Sequence, residues 1–346
     1  MYNRFLNAAY AIEVINGRLN GSSDNVENKK SAFDNVSYIK KIGNKATVSA
    51  QCQKYAIKRF AEKEGYELSK KIKNGKKIYT PTLPHKYIDE DVFGFMRADK
   101  EELNTEQFDQ LKEEERKTFS KNKNKYVRNI TKKRRSRFMM SPLINVSNSK
   151  INVEWNVAST EGDYMPYTVE TSAGIFVGIS NINISNISQF TISKIDSEYR
   201  DYSVKEFNQE DIKVSNYDKL ERIKTVLKGL QYLSIQGNQN NYLTDTSPKF
   251  IILGEYSWGN NVFQGIIKRN GVDVEALEET LEENENFRLS DIWIGVSKRI
   301  ISREYENLKD KLKSSFKKND YVHISTVKEA FDNYFIHLCK SFECEK

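Results

Sequence analysis

The chain is poor in the residues from which metal sites, disulfides and most catalytic centres are assembled. Its 346 residues hold three cysteines (Cys52, Cys339, Cys344) and three histidines (His85, His323, His337). The cysteines are odd in number and form no C-x-x-C pair, which indicates neither a disulfide framework nor a zinc site; reduced, packed thiols are expected. The histidines fall in no H-E-x-x-H or other ligand pattern, and the phosphate-loop, dinucleotide-loop and nucleophile-elbow glycine motifs are missing as well. Expected, therefore, are no metal, no cofactor and no catalytic residue. No apolar run approaches the ~18 residues of a spanning helix, and residues 1–10 lack the basic-then-apolar layout of a signal peptide. These absences lead to the expectation of a cytoplasmic protein with no membrane contact.

What is present is a core and a great deal of charge. Hydrophobic residues at 38% and aromatics at 12% exceed what a disordered chain carries, and charged residues at 30% imply a wet surface. The formal charge is +7, and the window 117–137 alone holds ten basic residues and no acidic one, which leaves −3 for the rest. The stretch 99–115 before it is acid-rich, and 273–285 carries seven carboxylates and no base. Blocks of one sign read as solvated surface or as interaction segments. In the basic window Phe119, Tyr126, Ile130 and Phe138 interleave with the cations, as in an anchored phosphate-binding element.

Along the chain, Leu6, Ala8, Tyr10, Ile12 and Val14 share one parity, which predicts a first strand with one buried face. Asn20-Gly21 is a turn signal. Ser49 predicts an N-cap for a helix ending near Gly65, with Cys52, Tyr55, Ala56 and Phe60 as its apolar stripe and Gln51, Lys54 and Lys58 lining another side. Residues 66–137 read as a charged insertion with some helix over 105–119. The segment 138–146 returns to strand, and 147–167, with alternating Ile151, Val153 and Trp155 before Gly162, suits a projecting hairpin. Strand is expected over 167–195 and 249–256, and helix over 216–234, 303–316 and 325–342. This order fits an α+β fold with helices on one face of an antiparallel sheet, in the simplest case an RNA-recognition-like (ferredoxin-like) core.

Several segments carry a resemblance in register. Ile39-Lys40-Lys41-Ile42 is followed by Ala46-Thr47-Val48-Ser49-Ala50-Gln51 and a basic helix; Leu19-Asn20-Gly21 precedes them; 134–143 (RRSRFMMSPL), 168–179 and 236–263 follow. Together they are similar to the CRISPR-associated Cascade backbone subunits of the RAMP superfamily, in the DevR-type branch found in type I-B systems. The resemblance implies an RNA-recognition-like palm over 1–65 and 138–346, a helical fingers insertion over 66–137, and a β-hairpin thumb near 147–167. It also implies a non-catalytic subunit that polymerises along a CRISPR guide RNA, contacts further copies of itself and other Cascade subunits, and meets target DNA through the guide.

A guide of variable sequence must be held by its phosphates and sugars rather than by its base edges. The candidate RNA contacts are Asn20, Gly21, Lys40, Lys41, Lys45, Ser49, Gln51 and Lys54 around the helix start; Arg134, Arg135, Arg137 and Met139 at the entry to the second palm segment; and Gln236, Gly237, Asn238 and Gln239 in a polar loop where family members often carry a lysine. Trp155, Met165 and Tyr167 are candidate wedges or neighbour contacts of the thumb. Two other classes compete. Related type III subunits cut target RNA with a metal and an aspartate in the loop after the first strand, where this chain has Asp24 and Asp34. The basic window taken alone suits a DNA-binding regulator, although no helix-turn-helix is recognisable.

Overall fold

A computed structural model describes residues 3–21, 36–75, 77–160, 162–190, 193–195, 198–200 and 212–343. The chain divides into two compact units. The first holds residues 1–65, 138–185 and 216–346, and the second holds 66–137 together with 186–215.

The first unit is built on a sheet whose middle strand is Phe5–Gly17. That strand pairs antiparallel with the 21-residue strand Asp163–Asn183 on one side, from Phe5 opposite Asn183 onward, and with Phe250–Tyr256 on the other. Beyond Phe250–Tyr256 lie Arg288–Val296 and then Val322–Ser325, the last pair running parallel. Beyond Asp163–Asn183 lie Leu143–Asn145, Lys45–Val48 and Lys41–Ile42. The antiparallel α+β character expected from the sequence holds, with parallel pairing at one edge.

One expectation does not hold. Helices cover both faces of this sheet rather than one, and the first strand is buried on both parities. On one face Ala50–Lys63 packs on Asn216–Gln231, which packs on Val327–Glu343. On the other, Ala9 and Ala11 join Phe263, Leu277, Leu281, Leu308, Leu312 and Phe316 in one buried cluster. The alternation of Leu6, Ala8, Tyr10 and Ile12 marks only the first of these faces. On the second, the small alanines let another layer approach closely, and small side chains do not announce burial in a hydropathy pattern. The sheet therefore presents no open face across its middle strands.

A buried acid closes the far end of this unit. Glu255 accepts hydrogen bonds from Arg4 Nε (2.9 Å) and Nη2 (3.1 Å) and from the Tyr334 hydroxyl (2.9 Å), and His337 Nε2 lies 3.6 Å away, a charge contact rather than a hydrogen bond. Burial opposes ionisation of Glu255, but His337 and the Arg4 guanidinium outweigh it and hold the carboxyl below its ordinary range.

In the second unit, Phe95–Leu103 and Lys125–Arg134 pair antiparallel from Phe95 opposite Arg134 to Leu103 opposite Tyr126. Ser120–Asn122 and Glu198–Arg200 also pair with Lys125–Arg134. The helical fingers expected over 66–137 thus hold more strand than helix, with short helices at Ile88–Phe93, Thr105–Asp109 and Glu113–Arg116. The reason is charge pairing across the ladder. Arg128 sits opposite Glu101 and bonds it at 2.5 Å, and Lys125 reaches Glu102 at 2.8 Å. Acidic and basic blocks that look separate in the sequence are facing strands, where opposite charges stabilise and like charges repel. Arg128 also lies 4.5 Å from the Phe119 ring centroid, and Phe108 stacks on Tyr126 at 3.6 Å.

Arg134 anchors this unit from inside. Its side chain and that of Asp91 are fully buried and paired. Its Nε donates to the Asp91 carbonyl at 2.9 Å and its Nη1 to the Gln189 carbonyl at 3.1 Å, and the guanidinium lies over the Phe190 ring. Asp91 takes two further bonds from Ser188, from its N–H (3.0 Å) and its hydroxyl (2.8 Å).

Removing one member of a buried pair leaves the other charge uncompensated. Arg134→Ala and Asp91→Ala are each expected to destabilise the protein by about 3–5 kcal/mol in chemical denaturation; a loss under about 1 kcal/mol would contradict the assignment of this pair. A carboxyl whose folded pKa is depressed contributes stability above its unfolded value, near 4.5 for Glu255, and loses it as pH falls through the folded value. The unsubstituted protein is therefore expected to lose stability with acid below about pH 4.5 more steeply than Glu255→Gln, compared by thermal melts across pH 3 to 7.

Candidate nucleic-acid interface

Three separate segments of the first unit meet at the start of the helix Ala50–Lys63. The first is the turn after the opening strand. Asn20 Oδ1 accepts the Ser49 N–H at 2.9 Å, its carbonyl accepts the Lys40 N–H at 2.8 Å, and Gly21 bridges Ile39. The second is the stretch Ile39–Ser49, which turns back at Gly43 and delivers the cap: Ser49 Oγ accepts the Cys52 N–H at 3.2 Å. The third is the loop after Asn216–Gln231. A Cβ on Gly237 would lie 2.2 Å from the Leu19 carbonyl oxygen, so only glycine permits that approach.

Donors and cations are carried by the segments of this junction. Lys40, Lys45 and Gln51 are exposed, and the amides of Ala50 and Gln51 take no partner among the described residues. Lys54 is half-buried; burial, then the charge of Lys58, lowers its pKa. Arg18, which sequence reasoning did not single out, belongs here too. It is half-buried, its Nη2 would lie 3.2 Å from a Cβ on Gly21, and its Nε is buried with no hydrogen bond among the described residues. A cation in that condition at a capped helix start suits an anionic ligand. The available signal was its place two residues before Asn20.

Other expected contacts are committed elsewhere. Lys41 is ion-paired at 2.6 Å with Glu170, a carboxylate that also accepts the Ile39 N–H at 3.0 Å, so this lysine fastens the hairpin to the long strand. Gln239 closes its own loop, donating to the Ile235 carbonyl and accepting the Thr244 N–H, both at 2.8 Å. Asn238 takes a left-handed turn conformation (φ 51°) and its carbonyl accepts the Tyr242 N–H. Gln236 is exposed. Arg134 is corrected outright: a fully buried guanidinium paired with Asp91 cannot reach a phosphate. Arg135 is exposed, Arg137 is half-buried with its N–H on the Val92 carbonyl, and Met139, in the first unit, is 43% exposed beside Asn181 of the long strand.

The expected stripe of the capped helix is also revised. Gln53, Ile57 and Ala61 are its buried residues, whereas Tyr55 is exposed. The buried Gln53 is held by the Tyr10 hydroxyl at 2.5 Å and donates to the Ser141 carbonyl at 3.0 Å. A satisfied amide takes a core position that hydropathy assigns to an apolar side chain.

Asn152–Thr160 and the start of Asp163–Asn183 form the projecting hairpin, with Gly162 at its tip in a positive-φ conformation (93°). Val153, Trp155, Val157 and Tyr164 share one of its faces and are all more than half exposed. Tyr167 is half-buried opposite Asn156, and Met165 stands at the register position opposite Ala158. Glu154, on the other face, accepts from Asn16 (3.0 Å) and the Tyr242 hydroxyl (2.8 Å), and these bonds lower its pKa. Asp24 and Asp34 lie outside the described residues. Among the described residues, no group of three His, Cys, Asp or Glu is placed to hold a metal ion, and no helix is long and apolar enough to cross a membrane.

No curated protein matches this chain. Solved chains resemble it. One, titled "CRISPR RNA-guided surveillance complex", is 12% identical over 82% of this chain and 83% of its own, with a TM-score of 0.42. Another, titled "CRISPR RNA-guided surveillance complex, pre-nicking", is 9% identical over 96% of this chain and 100% of its own, with a TM-score of 0.43. The family described as "CRISPR-associated negative auto-regulator DevR/Csa2" matches residues 35–257, a span that contains the capped helix, the projecting hairpin and the loop at Gly237. Since that match covers well over half of the sequence, the chain belongs to the CRISPR-associated DevR/Csa2 family.

Proposed function

We propose that this protein is a non-catalytic backbone subunit of a type I-B Cascade surveillance complex, polymerising along a CRISPR guide RNA and presenting it to target DNA. The observation that carries this reading is the convergence of Asn20, the stretch Ile39–Ser49 and Gly237 on one helix start, with Arg18, Lys40, Lys45 and Lys54 carried by the converging segments. The donors there are backbone N–H groups, amides, the Ser49 hydroxyl and cations. Such a set holds phosphate and sugar oxygens, and the Asn20 amide is spent on the Ser49 N–H and the Gly21 carbonyl, so that contact is indifferent to base identity. A guide whose sequence changes from one complex to the next requires that indifference.

The exposed face of the hairpin supports the same reading. Trp155, Val157 and Tyr164 are apolar groups held far from the core on a two-stranded arm, and an arm of that kind gains stability by covering a neighbour or a base step. The basic strand of the second unit enters less directly than composition suggests, because Arg134 is internal and Arg128 and Lys125 are paired within the sheet.

Discrete guide-length RNA is expected to co-purify with the protein, and its absence would count against the reading. Affinity for single-stranded RNA should fall with salt at a slope of about −0.7 per phosphate neutralised. The triple variant Lys40→Ala, Lys45→Ala, Lys54→Ala should weaken binding to all spacer sequences alike and flatten that slope, measured by fluorescence anisotropy over a salt series; loss for some spacers only would contradict sequence-independent holding. Incubation of the assembled complex with complementary RNA and magnesium should yield no regularly spaced cuts.

A further inference from the structure

A second polar concavity lies in the first unit, beside the turn at Gly43. It has a volume of about 380 Å³ and is lined by Asn44 and Lys45 of the hairpin turn and by Ser147, Asn148, Ser149 and Lys150 of the loop that precedes the projecting arm. Two cations, three amides and two hydroxyls line it, with Ala46 and Ile151 beside them, and among the described residues no carboxylate does. Neither Lys45 nor Lys150 makes an ion pair among the described residues, and the N–H groups of Asn148, Ser149 and Lys150 have no acceptor there.

The loop is held in place from behind. Asn145, almost fully buried, accepts the Ser147 N–H at 2.9 Å and donates to Ser149 Oγ (3.2 Å), Ser172 Oγ (3.0 Å) and the Ala173 carbonyl (2.8 Å). Ser147 Oγ accepts the Ile175 N–H at 2.9 Å, which leaves its own proton to donate. Gly174 adopts a φ of 124°, and a Cβ there would stand 2.7 Å from Ser147 Oγ, so the long strand is shaped to admit that serine. A rigid rim with spare donors, positive charge and no acceptor-only group is complementary to a tetrahedral anion.

We infer that this concavity binds a phosphoryl group, with Lys45 and Lys150 supplying charge and Ser147 and the 148–150 amides supplying directed hydrogen bonds. Resting on the function proposed above, the group is assigned to a phosphodiester of a bound RNA strand, at the foot of the projecting arm. A free phosphate or a nucleotide monophosphate shares that chemistry.

The test uses the full chain with three probes: a 5′-hydroxyl single-stranded RNA, inorganic phosphate and uridine 5′-monophosphate. Lys150→Glu is expected to weaken the RNA about tenfold, as for one lost charge-assisted hydrogen bond, and to remove about 0.7 from the salt slope. Ser147→Ala should weaken it to a lesser degree, and Lys317→Glu, remote and exposed, should leave it unchanged. Circular dichroism melts matching the unsubstituted protein keep the comparison free of folding effects. If Lys150→Glu binds RNA as the unsubstituted protein does while Lys40→Ala with Lys54→Ala does not, the phosphoryl site is overturned and the RNA-binding reading stands. If RNA fails to bind at all, yet calorimetry detects inorganic phosphate or the monophosphate and Lys150→Glu abolishes it, the site stands with a free ligand and the RNA-binding reading falls.

Discussion

The whole first unit depends on the two-sided burial of the strand Phe5–Gly17. Residues 6–12 are all buried, with the alanines at 8, 9 and 11 admitting layers on both faces and Tyr10 reaching Gln53 across one of them. A strand locked by two ladders and two layers cannot slip by one residue without turning its buried set outward. That rigidity is transmitted along the chain. The strand ends at Gly17, and the next residues, Arg18 to Gly21, are delivered to one place, where Asn20 bonds Ser49 and Leu19 receives Gly237.

The same register sets the other features of this face. The long strand Asp163–Asn183 continues past the end of its pairing with Phe5–Gly17, and the unpaired length becomes half of the projecting arm. Glu170 on that strand holds Lys41 and Ile39, so the stretch that carries the helix cap is referenced to the arm. Glu154 ties the other half of the arm to Asn16 and Tyr242. Bonds to short polar side chains, rather than apolar packing, fix the relative positions of turn, helix start and arm. A polar junction of this kind leaves its surplus donors facing solvent, where a phosphate backbone can use them.

Charge acquires a different meaning in three dimensions. The ten cations of 117–137 look like one basic surface, but the ladder pairs Arg128 with Glu101 and Lys125 with Glu102, and Arg134 is withdrawn into the interior of the second unit. The cations carried by the helix-start segments and the 147–150 loop of the first unit are fewer and more dispersed in sequence: Arg18, Lys40, Lys45, Lys54 and Lys150. Their value comes from rigid neighbours with unused N–H groups rather than from density of charge.

The sequence by itself determined the element types outside the insertion, the cap at Ser49, the turn at Asn20-Gly21 and the hairpin within 147–167, because each of these is written in local periodicity or in a single residue's backbone preference. It also determined, through five segments in register, membership of the family that matches 35–257. Tertiary structure alone decided which lysine is bound to Glu170, which arginine is buried, that the insertion holds a sheet, and that a second layer covers the far face of the main sheet. Each of those outcomes depends on what lies across a ladder or beneath a side chain from a distant part of the chain. A charge or an alanine looks the same in sequence whether its partner is water, an opposite charge or another layer.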